Sequence, residues 1–105
     1  MAREGLQSDA RFAEVFTRSR AGKGYGAYRI RQELRQRGIG GEDAPDLKAM
    51  DWDRLIGQVY ARKYGDTLPE SLPERAKREH FLERRGFGRD DIRRLFRRLK
   101  DGGDD

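Results

Sequence analysis

The chain has 105 residues, room for one domain and no more. Charged side chains make up 41% of it and hydrophobic ones 34%, against about 25% charged in an average globular domain. Lysine plus arginine number 24 and aspartate plus glutamate 19, a formal net charge of +5, which suits an acidic partner. The absence of cysteine excludes a disulfide framework, a thiolate zinc site and a cysteine nucleophile, and fits a reducing cytoplasm. No apolar run approaches the ~20 residues of a membrane span, and the first residues lack the apolar stretch of a signal peptide. His80 is the only histidine, so a histidine-rich metal site cannot be assembled.

The periodicity predicts a series of short helices. The first runs from about Asp9 to Arg20 on a stripe of Phe12, Val15 and Phe16, with Ser8 or Asp9 as N-cap. Gly22, Gly24 and Gly26 then interrupt it. The second runs from Ala27 to about Arg37, with Ala27, Ile30 and Leu34 on one face and Gly38 at its C-terminal turn. A short third helix spans roughly Asp43 to Ala49, with Pro45 in its first turn. Asp51 caps the fourth, whose stripe is Trp52, Leu55, Ile56, Val59 and Tyr60. Lys63 lies on the same arc, where its stem can cover apolar surface, and Gly65 ends the helix. Ser71 and Glu74 have capping-box spacing before a fifth helix, Pro73 to about Arg85. The sixth runs from about Arg89 to Lys100 on Ile92, Leu95, Phe96 and Leu99, and Asp90 and Asp91 favour its positive N-terminal end. No stretch alternates apolar and polar residues, so the fold class is all-α.

An internal repeat orders these helices. Leu34–Leu47 (LRQRGIGGEDAPDL) aligns without gaps on Leu82–Leu95 (LERRGFGRDDIRRL), an offset of 82 − 34 = 48 residues. Leu34/Leu82, Arg37/Arg85, Gly38/Gly86, Gly40/Gly88, Asp43/Asp91 and Leu47/Leu95 are identical pairs. Such a period belongs to helical repeat arrays, in which each unit buries its apolar face on its neighbours. The expected organisation is the last helix of an incomplete first repeat (1–21), a three-helix second repeat (22–66), and a third repeat of two clear helices and a tail (67–105).

GKGYGAYRIRQELRQRGI (Gly22–Ile39) and HFLERRGFGRDDI (His80–Ile92) strongly resemble the bacterial RecX regulatory family, and SDARFAEVFTRSR (Ser8–Arg20) resembles the segment preceding that family's glycine-rich turn. The resemblance covers nearly the whole chain and keeps the order and spacing of the three segments. It implies tandem three-helix repeats forming a curved, elongated stack. It also implies a non-enzymatic role: binding the RecA recombinase and its DNA filament, and inhibiting strand exchange and coprotease activity. That would modulate recombination and the SOS response. Family members usually carry a further helical repeat before the segment that begins here, so the chain reads as the later two-thirds of a longer regulator. His80 stands where the family often has a basic residue.

Several features have a plain structural account. Gly22-Lys23-Gly24-Tyr25-Gly26 has neither the preceding strand and spacing of a dinucleotide fingerprint nor the G-K-[ST] of a P-loop, and reads as an interhelical turn. His80 and Ser71 lack any third group to orient them, so His80 reads as a surface or half-buried residue. Glu42-Asp43 and Asp90-Asp91 sit at helix starts and read as caps. Arg37 and Arg85 have a structural alternative, covering the helix end and its carbonyls. The remaining arginines are too numerous on the outer faces to be ignored. Basic residues interleaved with aromatics suit an acidic protein groove or a phosphate backbone. Arg18, Arg20, Lys23, Tyr25, Tyr28, Arg29, Arg31, Arg35, Arg84, Arg93 and Arg97 are therefore the candidate contacts to RecA and DNA. The competing reading is a small basic module that binds nucleic acid directly, without RecA. No catalytic residues, cofactor or metal are expected, and the chain is expected to be a monomer with no membrane contact.

Overall fold

The computed structural model describes residues 2–40 and 47–102. Five α-helices follow in order: α1 (Ala2–Gly22), α2 (Ala27–Gln36), α3 (Trp52–Tyr64), α4 (Leu72–Arg84) and α5 (Arg89–Gly102). A 3-10 turn, Leu47–Ala49, precedes α3. The described residues contain no strand. The radius of gyration is 16.1 Å, against about 13 Å for a compact domain of this length, and the molecule measures 56 × 26 × 20 Å. It is an elongated helical stack.

Two expectations about α1 are corrected. The helix does not start at Ser8 or Asp9 but runs through both, because the preceding residues include helix formers such as Ala2, Arg3, Glu4 and Leu6. Its buried face is Ala13, Phe16, Thr17 and Ala21, whereas Phe12 and Val15 are 44% and 61% exposed. Alanine's small side chain permits close approach to α2, so the packed stripe is rotated away from the bulkiest residues. Of the third predicted helix, Leu47–Ala49 form a 3-10 turn, and its first residues, 43–46, lie outside the described residues. The other ends follow the local chemistry. Asp51 accepts from the Arg54 N–H and Ser71 accepts from the Glu74 N–H, each supplying an N-cap.

Two thin cores result. Ala13, Phe16, Ala21, Ile30, Leu34, Ile39 and Leu47 form the first, between α1, α2 and the 3-10 turn. Ile56, Val59, Tyr60, Leu82, Phe87, Ile92, Leu95 and Phe96 form the second, between α3, α4 and α5. Trp52 packs against both, and its indole N–H donates to the Leu47 carbonyl at 2.5 Å.

The 48-residue repeat is visible in the backbone. The Ile39 N–H reaches the Leu34 carbonyl and the Gly38 N–H that of Arg35; the Phe87 N–H reaches Leu82 and the Gly86 N–H reaches Glu83. Both sets have the spacing of a Schellman cap, with glycine in the left-handed region at φ 80° and 103°. Ile39 and Phe87 then tuck under their helices, 5% and 3% exposed.

The glycine-rich turn between α1 and α2 docks on the second of these caps. Gly26 N–H donates to the Arg85 carbonyl at 2.7 Å and Tyr28 N–H to the Gly86 carbonyl at 2.9 Å. A methyl group at Gly26 would lie 2.5 Å from the carbonyl carbon and oxygen of Gly86; one at Gly86 would collide with Arg29 Cβ. The glycines are therefore spacers for backbone-to-backbone contact, which accounts for the motif without a phosphate.

Candidate functional site

Pairing of charge separates structural arginines from available ones. Arg20 and Arg29 share Glu33, at 3.1 and 3.4 Å. Arg94 and Arg98 share Asp53, at 3.2 and 3.4 Å, and Arg94 also pairs with Asp91. The hydrogen bond from Arg94 to Asp53 holds the guanidinium's pKa above its ordinary value. Arg75 pairs with Glu79 at 3.1 Å, and Arg89 lies 3.7 Å from Glu83.

Arg78 is the most enclosed of the paired cations, 12% exposed at its side chain. Its Nε donates to Glu74 at 2.9 Å, and its Nη1 donates to Tyr60 Oη at 2.7 Å and the Thr67 carbonyl at 2.9 Å. The guanidinium also lies 4.5 Å from the Tyr64 ring centroid. This set ties the α3–α4 loop to both helices. The Glu74 bond raises the Arg78 pKa, so the residue is charged throughout the working range.

The sequence-predicted contacts are divided by the fold. Tyr25 turns partly inward and is ringed by Arg29, Arg85 and Arg20, with guanidinium carbons 4.5, 5.3 and 5.9 Å from its centroid. Tyr25, Arg20 and Arg29 thus form a packed hub around Glu33. Tyr28 points out, 63% exposed, and Arg31 stands 5.8 Å over its ring. Its outward pose depends on Gly88, where a Cβ would come within 2.7 Å of the ring. Arg35 follows Arg31 by one helical turn on α2 and is exposed. Tyr28, Arg29 and Arg84 line one cavity of about 310 Å³ between α2 and the α4–α5 turn, together with Gln32, Gln36, Gly86 and the carboxylates Glu33 and Glu83. Arg18 is exposed on α1, outside that cavity's lining. Arg93 and Arg97 are exposed on α5, and Arg93 lines a separate hollow with Arg75, Glu79 and Arg89.

Lys23 belongs to a different place. It lines a cavity of about 270 Å³ with Gly24, Val59, Arg62, Lys63, Phe81 and Arg85. Arg62 and Lys63 were not among the predicted contacts. The signal available in sequence was their place in the last turn of α3, which by itself reads as a complement to the helix dipole. Arg85 has the structural role considered for it, although the carbonyl it reaches, that of Lys23, follows α1. Arg37 stacks on Phe16, 4.9 Å from its centroid.

His80 is a surface residue, 76% exposed at its side chain and 3.7 Å from Glu83. Among the described residues, no three histidine, cysteine, aspartate or glutamate side chains are grouped so as to hold a metal ion. None of the described helices is long and apolar enough to cross a membrane. Asp90 and Asp91 occupy the first turn of α5 as expected, whereas Glu42 and Asp43 lie outside the described residues.

Fold and surface together define an all-α helical-repeat protein with a basic face studded by an exposed tyrosine. The family model described as RecX, second three-helix domain, matches residues 8–44. Over 96 residues the chain is 48% identical to the regulatory protein RecX of Chromohalobacter salexigens, covering 89% of this chain and 62% of that protein. It is 42% identical to the RecX proteins of Cronobacter sakazakii and Ectopseudomonas mendocina, covering 58% and 67% of their lengths. The chain belongs to the RecX family of regulatory proteins. It spans about three-fifths of the length of the first two of these relatives.

Proposed function

We propose that this chain binds the RecA recombinase on its DNA filament and restrains strand exchange and coprotease activity, so modulating recombination and the SOS response. Family membership supports the regulatory role, since the relatives are named as regulatory proteins and not as enzymes. The observation that carries the contact surface is the α2 face. Tyr28 is 63% exposed beside Arg31, and no ion pair engages Arg31 or Arg35 among the described residues. An aromatic flanked by unneutralised guanidiniums is the composition of a binding hot spot for an acidic partner. Arg84 extends this face across the cavity to α4, Arg29 joins it as a cation already paired with Glu33, and Arg18, Lys23, Arg93 and Arg97 are outlying members of the proposed contact set.

The test is RecA-dependent ATPase and strand exchange on single-stranded DNA with the chain added. Inhibition is expected. Arg31→Glu/Arg35→Glu should weaken binding to the filament by about tenfold or more while far-UV circular dichroism is unchanged. Failure of this chain and of a version extended by a preceding repeat to inhibit RecA would overturn the reading.

A further inference from the structure

The cavity at Lys23 is separate from the α2 face, and apart from Lys23 itself none of its lining residues belongs to the set proposed to contact RecA. Three helix ends meet there: Lys23 follows α1, Arg62 and Lys63 lie in the last turn of α3, and Phe81 and Arg85 lie at the end of α4. Four cations surround about 270 Å³, and no carboxylate among the described residues lines it. Elsewhere on the molecule most enclosed arginines share a carboxylate; these four cations form no ion pair among the described residues. Helix ends do attract cations, at roughly half an elementary charge each. Three such ends neutralise at most about −1.5 against +4, so the cavity keeps a net positive field.

The walls also carry information. Arg85 is already fixed: its Nη1 donates to the Lys23 carbonyl at 3.3 Å, and its guanidinium lies 5.3 and 5.4 Å from the Tyr25 and Phe81 centroids. A planar donor held in place before the ligand arrives suits bidentate recognition of a phosphate. Lys63 Nζ stands 4.4 Å over the Phe81 ring, and buried Val59 completes an apolar floor. Cations above an aromatic and aliphatic floor match a phosphate with its attached sugar and base better than a bare carboxylate.

We infer that the Lys23–Arg62–Lys63–Arg85 cavity is a phosphodiester site for a single-stranded nucleic acid. The probe is a fluorescein-labelled oligothymidylate, followed by anisotropy across a salt series. Arg62→Glu/Lys63→Glu should weaken binding by about tenfold or more and flatten the log–log salt slope by about 1.4, at about 0.7 for each phosphate no longer neutralised. Both side chains are exposed; should the reversal perturb helicity, Arg62→Gln/Lys63→Gln gives the same ordering with a smaller effect. The matched control is Arg11→Glu/Arg54→Glu, the same charge change at exposed positions elsewhere, expected to cost less than about threefold. Equal weakening by both pairs, or undiminished binding in the cavity variants, overturns the site. Competition by a polyglutamate peptide as effective as unlabelled oligonucleotide would make it a carboxylate site and overturn the nucleic-acid assignment. RecA is absent from every arm, so these outcomes are independent of filament inhibition.

Discussion

Gly38 and Gly86 occupy the same place in the repeat but have different surroundings. Both are left-handed, yet a Cβ at Gly38 meets nothing described within 4 Å, whereas one at Gly86 strikes Arg29. Gly26 is the converse, with an ordinary extended φ of −92° and a blocked Cβ. Alanine at these positions therefore separates backbone strain from crowding. Gly38→Ala should cost about 1–2 kcal/mol from conformation alone. Gly26→Ala should cost about 1–3 kcal/mol from forced separation of the two turns. Gly86→Ala carries both penalties and should be the most damaging of the three in urea denaturation. Thr17 presents the opposite opportunity. It is 3% exposed, and its hydroxyl has no hydrogen-bond partner among the described residues. Thr17→Val keeps the shape and removes the stranded hydroxyl, so the midpoint of thermal unfolding should rise, by about 1 kcal/mol in stability.

At the scale of the element, Arg78 is the side chain that joins α3, its following loop and α4. Arg78→Ala should destabilise the chain by about 2 kcal/mol, the worth of hydrogen bonds to a charged group. Arg78→Lys should recover less than half of that, because one ammonium cannot reach Glu74 and Tyr60 in the fork geometry of a guanidinium. Tyr64, beneath Arg78, gives a pH dependence. Burial pushes its phenol above the ordinary value of 10, and the Arg78 charge opposes that only in part. The folded state then holds a proton that the unfolded chain releases, so stability declines as pH rises from about 10 through the higher pKa of the folded state. Tyr64→Phe should blunt that decline in circular dichroism measured against pH. Most helices were legible because their caps are local: Asp51, Ser71, Gly38 and Gly86 act within one turn of their own position. The rotation of α1 was not, because its buried stripe is chosen by what α2 permits, and exposed Phe12 and Val15 outweigh Ala13 in any hydropathy pattern.

At the scale of the molecule, two small cores meet at Trp52, which is also the only tryptophan. Leu34→Ala weakens the first core and Leu82→Ala the second, each by about 2–5 kcal/mol. If Trp52 and the Gly26–Gly86 contact couple the halves, both variants should shift a single transition, with tryptophan fluorescence and circular dichroism superimposed. Separate transitions would show two independent units. The partner surface was legible only as composition. The sequence displayed eleven candidate contacts on equal terms, and the fold sorts them by ion pairing and exposure. Glu33 pairs with Arg20 and Arg29, while Arg31, beside the exposed Tyr28, forms no ion pair among the described residues. Arg62 and Lys63 gain meaning from Lys23 and Arg85, which are distant along the chain and adjacent only after folding.

The contact of the glycine-rich turn with the α4–α5 turn is made by main-chain atoms. Apart from Arg85, whose guanidinium reaches the Lys23 carbonyl and the Tyr25 ring, its geometry depends little on the identity of neighbouring side chains. Substitutions on the outer faces can retune which anions or proteins are recognised without altering the angle at which the two halves are set. Shape and recognition are in this sense separately adjustable: Gly26 and Gly86 set the approach of the two turns, and exposed arginines without an ion pair among the described residues, such as Arg31 and Arg35, can be exchanged without touching it.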